Sequence, residues 1–116
     1  AAEVFSDPSE MNNSLRWIAI LANRLKIDIA ASSGVHDGKA MIKQILAGAS
    51  VVEIATAVYV NGNSYITEML NFMECWMDKK GFNYIDQFRG KLSQDKCSHP
   101  NAYERLQFMK YFSKIQ

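Results

Sequence analysis

The sequence predicts an α/β fold built around one strand, crossover helix and strand unit. Three observations carry this. Two short apolar runs, residues 27–31 and 51–56, are too brief and too weakly periodic for helices. Between them lies an amphipathic segment with its own start and stop residues, and helical apolar stripes flank the unit on both sides. Strands joined through a crossover helix run parallel, whereas antiparallel neighbours need only a tight turn.

Each element has its own warrant. Ser6-Asp7-Pro8-Ser9-Glu10 predicts a helix start, with Asp7 as cap, Pro8 at the first helical position and Glu10 reaching back. Met11, Leu15, Ile18, Ala22 and Leu25 recur at spacings of three and four, which predicts one apolar stripe to about Leu25. Ile27-Asp28-Ile29-Ala30-Ala31 then reads as a strand that runs into the small residues Ser32-Ser33-Gly34. Beyond a turn at His36-Asp37-Gly38 a second helix is expected. Met41, Ile42, Ile45, Leu46 and Ala49 form its inner face, Lys39, Lys43 and Gln44 its wet side, and Gly48 its left-handed stop.

Val51-Val52-Glu53-Ile54-Ala55-Thr56 reads as the second strand, apolar at most positions as strands covered on both faces are. Asn61-Gly62-Asn63-Ser64 is a turn and cap. Ile66, Met69, Leu70, Met73, Trp76 and Met77 build a long helix that stops at Lys79-Lys80-Gly81, where cations sit well against the helix C-terminus. A short helical piece is expected over 84–88, then a polar stretch, then a last helix opened by Ser98-His99-Pro100 and carrying Leu106, Met109 and Phe112. Two parallel strands leave their outer edges unpaired, and an independently stable sheet takes about three strands or more. Either more protein lies upstream or copies associate.

Composition narrows the function. With 48% apolar and 22% charged residues in 116, the chain is a globular domain with room for one core at most. A net charge of +1 gives no electrostatic ground for nucleic acid or membrane. The distribution is uneven: residues 1–78 hold five basic and nine acidic side chains, residues 79–116 eight basic and three acidic. The basic residues of the tail are interspersed with Asp86, Asp95 and Glu104, which reads as a solvated surface. No apolar run approaches the roughly 18 residues of a membrane span. Cys75 and Cys97 show no CxxC pairing and no signal-like leader precedes them, so they read as free thiols and a cytoplasmic location is expected.

Ligands of α/β folds bind beyond the carboxyl ends of the strands, here Ser32-Ser33-Gly34-Val35 and Ala55-Thr56-Ala57. Two readings of these small-residue loops stand side by side. Their backbone N–H groups, near the start of the helix opened by His36-Asp37-Gly38, can hold a phosphate, or the small residues merely let a helix pack closely on a strand. His36 beside Asp37 has no identifiable catalytic partner and reads as a cap or exposed turn. Cys75, beside Trp76, reads as a packing or surface thiol, Cys97 and His99 lack metal-ligand company, and the methionines from Met41 to Met77 read as core filler. No catalytic constellation and no metal site is evident.

The run Ala31-Ser32-Ser33-Gly34-Val35-His36-Asp37-Gly38-Lys39-Ala40, with Ile45-Leu46-Ala47-Gly48-Ala49 and Val52-Glu53-Ile54-Ala55-Thr56-Ala57-Val58-Tyr59, resembles the last two βα units of the dihydroorotate dehydrogenase family. Phe88-Arg89-Gly90-Lys91-Leu92 resembles the ending of its soluble, fumarate-using branch. The resemblance covers roughly residues 8–93. It implies the C-terminal part of a TIM (β/α)8 barrel, its last two parallel strands with flanking helices, followed by a helical tail. Residues 1–93 would be those βα units and 94–116 a helical C-terminal extension. FMN is the implied cofactor, with Ser33 and Gly34 on one loop and Ala55 and Thr56 on the other as its phosphate contacts.

The family typically has Gly where Ser33 and Ala55 stand, so a Cβ there predicts a crowded phosphate or a shifted backbone. A barrel of this kind takes about 250 residues. The family's base, its flavin-contacting Lys and its substrate-binding Asn residues belong to upstream segments that this chain does not match. The implied parent is an FMN-dependent oxidoreductase converting dihydroorotate to orotate in pyrimidine biosynthesis, of which this chain supplies part of the phosphate site and is inactive alone. Its partners would be the missing N-terminal part of the barrel, or further copies in a homo-oligomer. The rival expectation is a non-catalytic, self-associating α/β module without flavin.

Overall fold

A computed structural model describes residues 5–93. The expected last helix, the basic residues of the far tail, Cys97 and His99 lie outside the described residues. A 3-10 turn, Pro8–Glu10, leads into α1 (Met11–Leu21); β1 (Ala30–Ala31), α2 (Gly38–Ala47) and β2 (Val51–Val52) follow. Then come α3 (Thr56–Asn61), α4 (Tyr65–Lys80) and a second 3-10 turn, Ile85–Gln87, where the short helical piece was expected. β1 pairs parallel with β2, Ala30 opposite Val51 and Ala31 opposite Val52. The chain is thus an α/β domain with one parallel pair of strands and helices around it.

Both strands are shorter than the sequence predicts. Residues 25–27 bend and the ladder begins only at Ala30, while the second strand ends at Val52, four residues before Thr56 begins α3. A ladder with a neighbour on one side only holds few residues in register. The expectation that β2 is covered on both faces also fails here, since Val51 is 57% exposed. The first helix stops four residues early, at Leu21, where the N–H groups of Arg24 and Leu25 both turn back to the Leu21 carbonyl.

α2 lies between α1 and α4 and carries the core. One cluster joins Ile18 and Ala19 of α1 to Ala31, Ala47 and Ala49; a second joins Ile42 and Ile45 to Met73, Met77 and Phe88; a third joins Met11, Val35, Ala40 and Met69. Asp37 caps α2 by accepting from the Ala40 N–H at 2.8 Å, and Gly48 ends it at φ 125°. A side chain at Gly48 would meet the Ala22 Cβ at 2.3 Å, so this glycine also sets how closely α1 approaches. Gln44, expected on the wet side, is fully buried: its Nε2 donates to Ser14 Oγ at 3.3 Å while Oε1 has no partner. The cause is α1, which packs over the face of α2 that the charge pattern marked as open.

On α4, Met69, Met73 and Met77 are buried as expected, but Ile66 and Leu70 are each more than two-fifths exposed. The helix ends at Gly81 in left-handed backbone, with Phe82 N–H reaching back to the Met77 carbonyl at 2.9 Å. Residues 88–92 then strap across the end of α2. Phe88 is fully buried with Trp76 (4.9 Å between ring centroids, edge-on) and Phe82 (5.4 Å). Gly90 N–H donates to the Ile45 carbonyl at 3.0 Å and Leu92 N–H to the Leu46 carbonyl at 2.8 Å. The Ile45 carbonyl also accepts from the Gly48 N–H at 3.0 Å, so it is at Leu46 that the strap pairs a carbonyl the helix end leaves open. Arg89 adds a bond from Nε to the Ala49 carbonyl and an ion pair with Asp86.

Candidate functional site

β1 and β2 deliver their following loops to the same end of the pair. Ser33, Gly34, Ala55 and Thr56, the four expected phosphate contacts, all line one cavity of about 470 Å3 together with Ser6, Ser32, Val35, Glu53 and Ile54. Ser33 holds φ 75°, the left-handed region that a glycine takes without strain.

Gly34 follows at φ 77° and serves packing as well. A Cβ there would lie 2.3 Å from the Met11 backbone nitrogen, so the start of α1 rests directly on this loop. Close helix packing and cavity lining are therefore both true of the same residue. Ala55 is exposed and precedes α3, and Thr56 is that helix's first residue rather than the end of a strand. Asp37 already satisfies a backbone N–H at the start of α2, so that terminus offers less to a phosphate than the sequence alone suggested.

Three further residues join the site that sequence reasoning gave no such role. Phe5 packs against Tyr59 of α3, ring centroids 5.4 Å apart, and this pins the following Ser6 over the loop. Ser6 donates its backbone N–H to Thr56 Oγ1 at 3.0 Å, and its own Oγ lies 3.2 Å from that oxygen and 2.9 Å from His36 Nε2. His36 is half-buried rather than exposed, and its carbonyl accepts from the Tyr65 hydroxyl at 3.0 Å. Glu53 brings a carboxylate to the cavity, which no Lys or Arg lines among the described residues. The only signal for Ser6 was its place in a capping run; the fifty residues between it and Thr56 hide the contact from any local pattern.

Next to the cavity, Asp7 accepts from the Ser9 hydroxyl (2.7 Å) and the Ser9 N–H (2.8 Å). These bonds, the hydroxyl first, hold its carboxyl below the usual range, with a smaller contribution from His36. Cys75 is a free thiol on the surface, and no three His, Cys, Asp or Glu side chains gather as a metal site among the described residues. No helix among them is long and apolar enough to cross a membrane.

No family model matches the chain. It is similar to the catalytic subunit of dihydroorotate dehydrogenase B (NAD(+)) of Pyrococcus furiosus, 31% identical over 86 residues, 74% of this chain and 29% of that protein. It is similar also to the dihydroorotate dehydrogenase (fumarate) of Lachancea kluyveri, 34% identical over 67 residues, 58% of the chain and 21% of the relative. Dihydroorotate dehydrogenase A (fumarate) of Lactococcus lactis matches 60% of the chain at 35% identity, over 23% of its own length. The chain thus spans between about a fifth and three tenths of these relatives' length.

Proposed function

This chain is a sequence relative of the dihydroorotate dehydrogenases, and from that kinship we propose that it forms part of the FMN phosphate site of a dihydroorotate-oxidising β/α barrel. One observation carries the reading: loops twenty residues apart in sequence present Ser33 and Gly34, and Ala55 and Thr56, to one cavity, with Ser33 in the backbone conformation that glycine would adopt. The site fits a phosphate through hydrogen bonds rather than charge, since hydroxyls and backbone line it and Glu53 is the one ionisable side chain there among the described residues.

Ser33 and Gly34 would grip the phosphate from the first loop and Ala55 and Thr56 from the second. The bound flavin would supply the hydride acceptor for the substrate. The chain's own residues anchor and orient the phosphate end of the flavin. Residues 1–93 act as βα units of the barrel and 94–116 as an appended extension, with the remainder of the barrel as partner. Alone, the chain binds without turnover.

Fluorescence titration of the purified chain with FMN and with riboflavin tests this. Quenching by FMN at concentrations where riboflavin gives none is expected, because riboflavin lacks the phosphate. Equal or absent binding of both overturns the reading.

A second reading, a self-associating module without flavin, draws on the exposure of Ile27 and of Val51, the latter on a ladder that has no further strand among the described residues. Sedimentation across a wide concentration range distinguishes it. A monomer at every concentration removes it.

A further inference from the structure

Two hydroxyls and an imidazole meet beside the cavity with few hydrogens to share. Thr56 Oγ1 accepts from the Ser6 N–H at 3.0 Å and from the Ser6 hydroxyl at 3.2 Å, which occupies both of its lone pairs. Its own hydrogen finds no acceptor among the described residues, on a side chain that lines the cavity. Ser6 has a single hydroxyl hydrogen, and Thr56 takes it. With that hydrogen given to Thr56, the 2.9 Å contact between Ser6 Oγ and His36 Nε2 is filled by a donation from the imidazole.

We infer that His36, Ser6 and Thr56 form a directed hydrogen-bond relay, His36 Nε2–H to Ser6 Oγ–H to Thr56 Oγ1–H, whose terminal hydrogen is donated to a phosphate monoester in the cavity. This rests on the phosphate-site reading above and adds two positioning residues to it. Ser6 holds the Thr56 hydroxyl in a donating orientation, and His36 fixes the direction of Ser6. A relay of donors suits an oxyanion in a cavity that no Lys or Arg lines among the described residues, since every member is polarised toward the ligand. The reverse direction, Thr56 to Ser6 to His36, leaves nothing for a ligand and is the competing outcome.

Imidazole 15N spectra of the full 116-residue chain decide the direction without any substitution. Hydrogen on Nε2 is expected, while a bare Nε2 with hydrogen on Nδ1 overturns the relay. The chain is then titrated with inorganic phosphate and, separately, with FMN, beside Ser6→Ala and the hydroxyl-restoring Ser6→Thr. Ser6→Ala is expected to weaken FMN binding about fivefold and Ser6→Thr to recover most of it, with the 15N signals of His36 moving on phosphate addition in the original chain.

Unchanged FMN affinity in Ser6→Ala overturns the relay and leaves the FMN reading standing. Phosphate that moves His36 in a chain indifferent to FMN sustains the relay and removes the flavin. Failure of both ligands removes both.

Discussion

Ser33 and Gly34 stand consecutively in left-handed backbone, φ 75° and 77°, yet only the second lacks a Cβ. The pair separates two reasons for the same conformation. A non-glycine residue there costs about 1 kcal/mol, so Ser33→Gly is expected to stabilise the domain by about that much, read as a rise in the urea midpoint. Gly34→Ala is expected to cost about 3 kcal/mol or more, since strain adds to a collision with the Met11 backbone. Equal effects at the two positions would contradict this account.

Phe88 is the anchor of the strap. Its ring is wholly enclosed by Trp76, Phe82 and the face of α2, so Phe88→Ala is expected to destabilise by about 3–5 kcal/mol. Loss of near-ultraviolet aromatic dichroism before loss of helix signal would accompany it. A cost under about 1 kcal/mol would mean the strap is not anchored through this ring.

Glu53 faces the proposed phosphate site with like charge. Glu53→Gln is expected to tighten FMN binding about fivefold at low ionic strength, a gain that shrinks as salt is added. Riboflavin binding serves as the control and is expected not to change. Weaker FMN binding in the variant would argue that Glu53 holds the loop rather than opposing the ligand.

Asp7 makes the first turn sensitive to acid. Its carboxyl is held below the ordinary value by the Ser9 hydroxyl, then by the Ser9 N–H and the charge of His36. A lowered folded value means that the contribution is complete above the unfolded value near 3.9 and is lost as the pH falls through the folded one. The Asp7 carboxyl carbon is expected to titrate with a midpoint below about 3.9 by NMR. Asp7→Asn keeps a capping oxygen and is expected to lose that acid dependence. A midpoint at or above 3.9 would refute the capping account.

Local chemistry made part of this fold readable. Asp37 and Gly48 bracket α2, Gly81 stops α4, and the methionines at 69, 73 and 77 face the core, each from residue type and spacing alone. The loops that carry Ser33, Gly34, Ala55 and Thr56 were legible for the same reason: small residues follow two apolar runs. Strand length was not, because it depends on neighbours the sequence does not specify. Gln44 misled because burial there is imposed by α1 rather than by its own helix. The Ser6 contact with His36 and Thr56 was out of reach for a related reason: side chains so far apart in sequence meet only through the tertiary fold.

The strap over α2 also orders events during synthesis. The carbonyl of Leu46 receives its donor only when Leu92 has left the ribosome, and that of Ile45 its second donor only when Gly90 has. Until then the helix that both flanking helices pack against has an unfinished end, and its apolar face lacks Phe88. The strand pair and its loops are translated long before that. A nascent chain halted before Phe88 would hold α2 and α4 without the ring that packs against both.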